Sequence, residues 1–194
     1  VAVPGGSTFR ADDDRAPDIT GQLVFNTAKG RIAVSALLRD IRVDAGAPAA
    51  VDDRWGGALS VAGVIPTFGK DDFRFTASAG NAIGRYSDGF FPDGVLSADG
   101  QIQLPKQWGW FAAYRHYWFD QLRSNFVLSS ASENNPAGAP DNTNKSTASA
   151  HANLIWSPVT NADLGIEYIY ADRKTEDGLK GHLNRLQASA KYAF

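Results

Sequence analysis

The 194-residue chain contains no cysteine, so it forms no disulfide and offers no thiolate to a metal ion. It also lacks any run approaching the ~18 consecutive apolar residues of a membrane-spanning helix, with Leu59 to Ile65 among its longest weakly polar stretches. That excludes a helical membrane protein. It does not exclude one that crosses with strands, whose alternating faces average to a modest hydropathy. Charge of one sign is missing as well: the formal net charge is −2, which gives no global field to attract nucleic acid or an anionic membrane surface. Only three histidines occur, His116, His151 and His182; they fall in separate segments with no carboxylate at ligand spacing, so no metal site is expected. No Gly-x-Gly-x-x-Gly opens a helix and no Gly-x-Ser-x-Gly elbow occurs, so the sequence points to no catalytic residue and no cofactor, and the protein is not expected to be an enzyme.

What is present is alternation of period two, the signature of strands with two unlike faces. In the last ten positions Leu186, Ala188, Ala190, Tyr192 and Phe194 share one face, and Arg185, Gln187, Ser189 and Lys191 the other. The same pattern recurs in Leu164, Ile166, Tyr168 and Tyr170, in Ala148 to Trp156, and in Phe73, Phe75, Ala77 and Ala79. Leu122, Phe126 and Leu128 likewise oppose Arg123 and Asn125. About nine strands are predicted, at 19–26, 31–43, 55–65, 72–83, 108–118, 122–131, 146–156, 164–173 and 182–194. Several exceed the ~5–6 residues usual in soluble sheets and reach the ~9–11 needed to cross a bilayer at a tilt.

The links between them alternate in length. Thr27 to Gly30, Pro66 to Asp71, Phe119 to Gln121 and Ser157 to Asp163 are short, whereas 44–54, 84–107, 132–145 and 174–181 are longer and polar. Short periplasmic turns alternating with long external loops are what a transmembrane barrel produces. The expected fold is therefore all-β, an antiparallel transmembrane β-barrel. On this parity residues 1–18 form an external loop and 19–194 belong to one barrel domain. An odd strand count that opens on an external loop implies that at least one N-terminal strand precedes Val1. Val1 to Gly6 also carry no signal-peptide features. Trp55, Trp108, Trp110, Trp118, Trp156, Tyr168, Tyr170, Tyr192 and Phe194 fall near the predicted strand ends, where aromatic girdles meet the membrane interfaces.

The terminal strand Arg185–Phe194 resembles the C-terminal signature of outer-membrane proteins, which implies that Tyr192 and Phe194 are read by the barrel-assembly machinery. More narrowly, Gly80-Asn-Ala-Ile-Gly-Arg-Tyr86, His116-Tyr-Trp118 with Leu122-Arg-Ser-Asn125, and Asn153-Leu-Ile-Trp-Ser-Pro158 followed by Leu164-Gly-Ile-Glu-Tyr168 resemble the DcaP-like trimeric porins from about residue 18 to the end. The resemblance implies a barrel of roughly sixteen strands enclosing an aqueous channel, of which this chain holds about the last nine. It also implies a homotrimer in the bacterial outer membrane, in contact with its lipid, that takes up small anions such as dicarboxylates.

If the apolar faces meet lipid, the opposite parity lines the pore. Arg39, Arg74, Arg115, Arg123, His151, Arg173, Arg185 and Lys191 fall there, with Glu167 the one acid well inside a strand on that face. The expected wall is basic and favours anions without trapping them. Alternatively, these cations only keep the lumen wet and pair with acids from elsewhere. Other acids, including Asp71 and Asp72, read as turn formers or solvated loop faces, and Asp12 to Asp14 lack the alternate spacing of a calcium loop. The link 84–107 is the candidate constriction element through Arg85, Tyr86, Asp93 and Asp99, or else a plain external loop or a subunit contact through Phe90 and Phe91. The reading from another class is a non-channel barrel or a secreted β-sandwich binding module, which alternating strands also build.

Overall fold

The computed structural model describes residues 15–44, 51–87, 91–97 and 100–194; the expectations for residues 1–14, Phe90 and Asp99 lie outside these. A single 9-stranded antiparallel sheet dominates. Its strands are β1 Ile19–Thr27, β2 Gly30–Asp44, β3 Val51–Pro66 and β4 Asp72–Asn81. After a link containing a 3-10 turn at Gly84–Tyr86 and two short strands, β5 Val95–Leu96 and β6 Ile102–Gln103, come β7 Lys106–Phe119 and β8 Leu122–Asn134. The last three are β9 Asn144–Trp156, β10 Ala162–Thr175 and β11 Lys180–Tyr192. Each long strand pairs with its neighbours in sequence, in the order β1-β2-β3-β4-β7-β8-β9-β10-β11. No described helix is long and apolar enough to cross a membrane, which leaves crossing by strands untouched.

Each long strand lies where alternation places it, but most extend further on the side away from the short turns. Link 44–54 contracts to residues 45–50, and link 174–181 to 176–179, closed by Gly178 at φ 86. The last link is thus no longer than the turn at 157–161, so the length alternation is not strict. Strand pairing persists there because backbone groups still need partners after the apolar face has ended. Links 135–143 and 176–179 are also stapled together, Glu176 N–H donating to Thr143 O at 3.0 Å and Asn135 Nδ2 to Glu176 Oε1 at 2.9 Å, while Lys145 Nζ of β9 donates to Glu176 Oε2 at 3.0 Å. Burial alone would raise the Glu176 carboxyl, but hydrogen bonds from Asn135 and Lys145 leave it below its ordinary pKa.

The register assigns every side chain to one of two faces. Directly paired residues share a face, and the pairs Phe25–Ile32, Gly63–Phe75, Ala112–Leu128 and Ala150–Tyr170 belong to one continuous row. That face carries the exposed large apolar residues Leu23, Leu59, Leu128, Ile166 and Leu186. Near its borders stand Trp55, Trp108, Trp118, Trp156 and Tyr192, all exposed. Apolar side chains left exposed in such density fit hydrocarbon rather than water.

The buried apolar cluster among the described residues lies on the other face. It joins Ile41 and Val43 of β2 to Ala82, Leu96 and Ile102 of the link, with Leu104 packed against it. Residues 82–87, 91–97 and 100–105 therefore form a strap folded back across the polar face of β2 and β3, close to the long-loop end of the sheet.

Candidate functional site

The polar face has two parts, a charged wall near the short turns and the strap at the opposite end. Arg74, Arg115, Arg123, His151, Glu167, Arg173, Arg185, Lys191 and Arg39 all share this face, because each follows through the register from its neighbours. One row runs from Arg31 beside Val64 to Arg74 beside Ala113, and later passes His151 and Ile169 to reach Arg185. The next row places Asp72 beside Arg115, Asn125 beside Asn153, and Glu167 beside Gln187. Arg31 was not singled out by sequence because it opens its strand, but the register makes it part of the same basic row.

Acids that sequence reading left in turns belong to the wall. Asp72 begins β4 and Asp163 is the second residue of β10. Arg74 Nε donates to Asp72 Oδ1 at 2.7 Å, and Arg115 pairs with the same carboxylate. Arg123 bonds Ser157 Oγ at 2.7 Å and Asp163 Oδ2 at 3.1 Å. His151 Nδ1 stands 3.7 Å from Glu167, which also accepts from Gln187 Nε2 at 2.6 Å. Arg173, Arg185 and Lys191 form no ion pair among the described residues, and all three are exposed.

These pairs are layered rather than simply neutral. The Asp72 side chain is 7% exposed, while its partners Arg74 and Arg115 are 44% and 29% exposed. The carboxylate lies against the sheet and the guanidiniums stand above it, so the atoms that meet water are cationic.

Arg39 departs from the expectation of a pore-lining residue. It has the right parity, but its side chain is 0% exposed because the strap covers it. Its Nη1 donates to Ala82 O at 2.5 Å and to Asp93 Oδ1 at 2.7 Å, and its Nε to Asp18 Oδ1 at 3.2 Å. The Tyr86 ring lies 5.7 Å from the guanidinium carbon and donates its hydroxyl to Asp18 Oδ2 at 2.6 Å. That bond to a carboxylate raises the Tyr86 pKa above its ordinary value. Asp93, expected at a constriction, is turned inward to Arg39, whereas the Arg85 side chain is 50% exposed and the Tyr86 residue 53%. A second attachment holds the strap's far limb: Ile102 N–H donates to Asp52 Oδ2 at 2.7 Å and Arg54 Nε to Ile102 O at 3.3 Å. Among the described residues no group of three or more metal-ligating side chains occurs.

Residues 101–194 match the sequence profile of the DcaP outer membrane protein family. Over that stretch the chain is similar to this family. Its fold agrees with that of a crystal structure, the outer membrane channel DcaP of Acinetobacter baumannii, at a TM-score of 0.80 and 20% identity. The match covers 94% of this chain and 53% of that one, so the chain spans about half the length of that channel protein. No curated protein matches the sequence. The expectations of an all-β antiparallel fold and of a resemblance to the DcaP family are met. The sheet itself stays open, with β1 and β11 at its edges.

Proposed function

We propose that these strands form part of the wall of a passive outer-membrane channel for small hydrophilic solutes, with a preference for anions of the dicarboxylate type. Further strands outside this chain close the barrel in this reading, and Arg31, Arg74, Arg115, Arg123, His151, Glu167, Arg173, Arg185 and Lys191 line it. The observation that carries the anion preference is the layering at Asp72, where buried acid under exposed Arg74 and Arg115 leaves cationic groups at the water surface. Such groups attract a passing anion over several ångströms and, being already paired, hold it weakly. The homotrimer, and reading of Tyr192 and Phe194 by the assembly machinery, complete the proposal. They rest on the family resemblance and on the exposure of both aromatics at the end of an edge strand.

A second reading has its own support. Asp72 and Asp163 pair with three of the arginines, so a wall that is merely wet and nearly neutral is the competing case. Reversal potentials of the native barrel in planar bilayers under a KCl gradient separate the two. Anion preference is expected, reduced by replacing Arg74, Arg123 and Arg185 together with Ser. A reversal potential on the cation side, or a ratio unmoved by the triple replacement, refutes the basic wall.

A further inference from the structure

We propose that Arg39 is a positioning residue that pins the first limb of the strap, residues 82–87 and 91–93, against the sheet and so holds Arg85 and Tyr86 in the permeation path. The inference rests on the channel reading for its consequence, but not for its geometry. A fully buried guanidinium that bonds three separate groups is costly unless each bond is made. Here the partners are the residue just before β1, Asp18, and two points on the strap, the Ala82 carbonyl and Asp93. Asp93 in turn accepts from the Arg85 backbone N–H at 3.0 Å, so one carboxylate joins the buried cation to the turn that carries the exposed pair.

The Gly80–Tyr86 motif is built for this attachment. A Cβ on Gly80 would meet Gly57 O at 2.3 Å, and one on Gly84 would meet Phe91 O at 2.2 Å. Asn81 Oδ1 accepts from Gly57 N–H at 2.8 Å, and Ala82 takes φ 59, which aims its carbonyl region at β2. The motif thus turns the chain off β4 and lays it directly on Arg39. The far limb has separate anchorage in the apolar cluster and at Asp52. Loss of Arg39 should therefore free one limb and leave the other seated.

The test uses the native barrel in liposomes, with a spin label on a cysteine at Ser87 in the pinned limb or at Gln103 on β6. In Arg39→Gln and in Asp93→Asn the Ser87 label should lose its immobilised component, the Gln103 label should keep its own, and single-channel conductance should rise. Arg39→Lys keeps the charge but not the fork, and should release the limb as well. Should Arg39→Gln fail to assemble, Asp93→Asn decides alone. A Ser87 label that stays immobile in the assembled variants overturns the pin. A mobile label with unchanged conductance overturns the positioning role while the channel reading stands. Absence of conductance in the parent defeats the channel reading, and the labels still decide whether Arg39 pins the limb.

Discussion

Replacing Phe126 with Arg should cost far more than replacing its neighbour Val127 with Arg, although Val127 is the less exposed of the two. Phe126 is on the apolar face of β8, 48% exposed, between Tyr114 and Ala152. Val127 lies on the polar face between Ala113 and His151. A basic side chain facing lipid near the midplane costs ~2–4 kcal/mol, and losing the packed half of a Phe adds ~1 kcal/mol. Phe126→Arg should therefore destabilise by about 4 kcal/mol. With a urea dependence of ~2 kcal/mol per M, that lowers the unfolding midpoint by about 2 M. Val127→Arg points into water and should stay within ~1 kcal/mol. The measurement is urea unfolding of the native barrel in bilayers, followed by tryptophan emission. Equal losses for the two variants, or a greater loss at Val127, would refute the assignment of faces, and with it the pore-lining set.

Gly56→Val tests the seat of the strap: a Cβ there would stand 2.6 Å from Ala82 Cβ and 3.2 Å from Leu104 Cδ1, so overpacking of ~1–3 kcal/mol is expected, together with new protease cleavage between 82 and 105. Asp71 tests the turn end through pH. Its carboxyl is held below its ordinary pKa chiefly by the Tyr117 backbone N–H, then by His116 and Tyr114. A lowered folded value means stability that is complete above the unfolded pKa of ~3.9 and lost as pH falls through the folded one. Unfolding midpoints measured downward from pH 5 should fall in the parent, and fall less in Asp71→Asn.

The fold was largely legible because lipid outside and water inside force neighbouring residues to differ, so alternation in Leu164–Tyr170 or Leu186–Phe194 names strand and face together. Strand ends on the loop side were less legible. Beyond the apolar band both faces are polar, as in Asn144 to Ser146, and pairing continues with no hydropathy contrast to mark it. Parity placed Arg39 on the polar face, and the register does the same. It could not show that a segment forty residues later in sequence buries it, since nothing local to Arg39 differs from Arg74. Asp72 was read as a turn former, although the predicted strand opens on it, because Asp favours turns; Asp163 closed a predicted link, and β10 begins one residue before it. The strap's own signal was its length, with Gly80 and Gly84 marking where backbone comes close.

The two faces also carry information about closure that no single strand holds. On β2 the apolar face runs from Ile32 to Leu38, centred at Ser35. The row through Ser35 passes Ser60, Ser78, Gly109, Ala131, Thr147 and Arg173, and arrives at Gly181 on β11. Yet on β11 the apolar face runs from Leu186 to Tyr192, centred at Ser189. The band has slid by 189 − 181 = 8 residues over the seven steps from β2 to β11. If the band marks one membrane level, strands cannot stand upright in it. At ~3.3 Å per residue and ~4.8 Å per strand the slide corresponds to a tilt of about 40°, inside the ~35–45° that closing a barrel demands. An upright or flat sheet would keep its apolar band on one row. Polarised infrared spectra of the native barrel in oriented bilayers should therefore give a strand tilt of about 40° from the membrane normal, by the same geometry. A tilt below ~20° would break the link between register and bilayer, and would return the open sheet to the β-sandwich reading, whose packed sheets have no membrane level to follow.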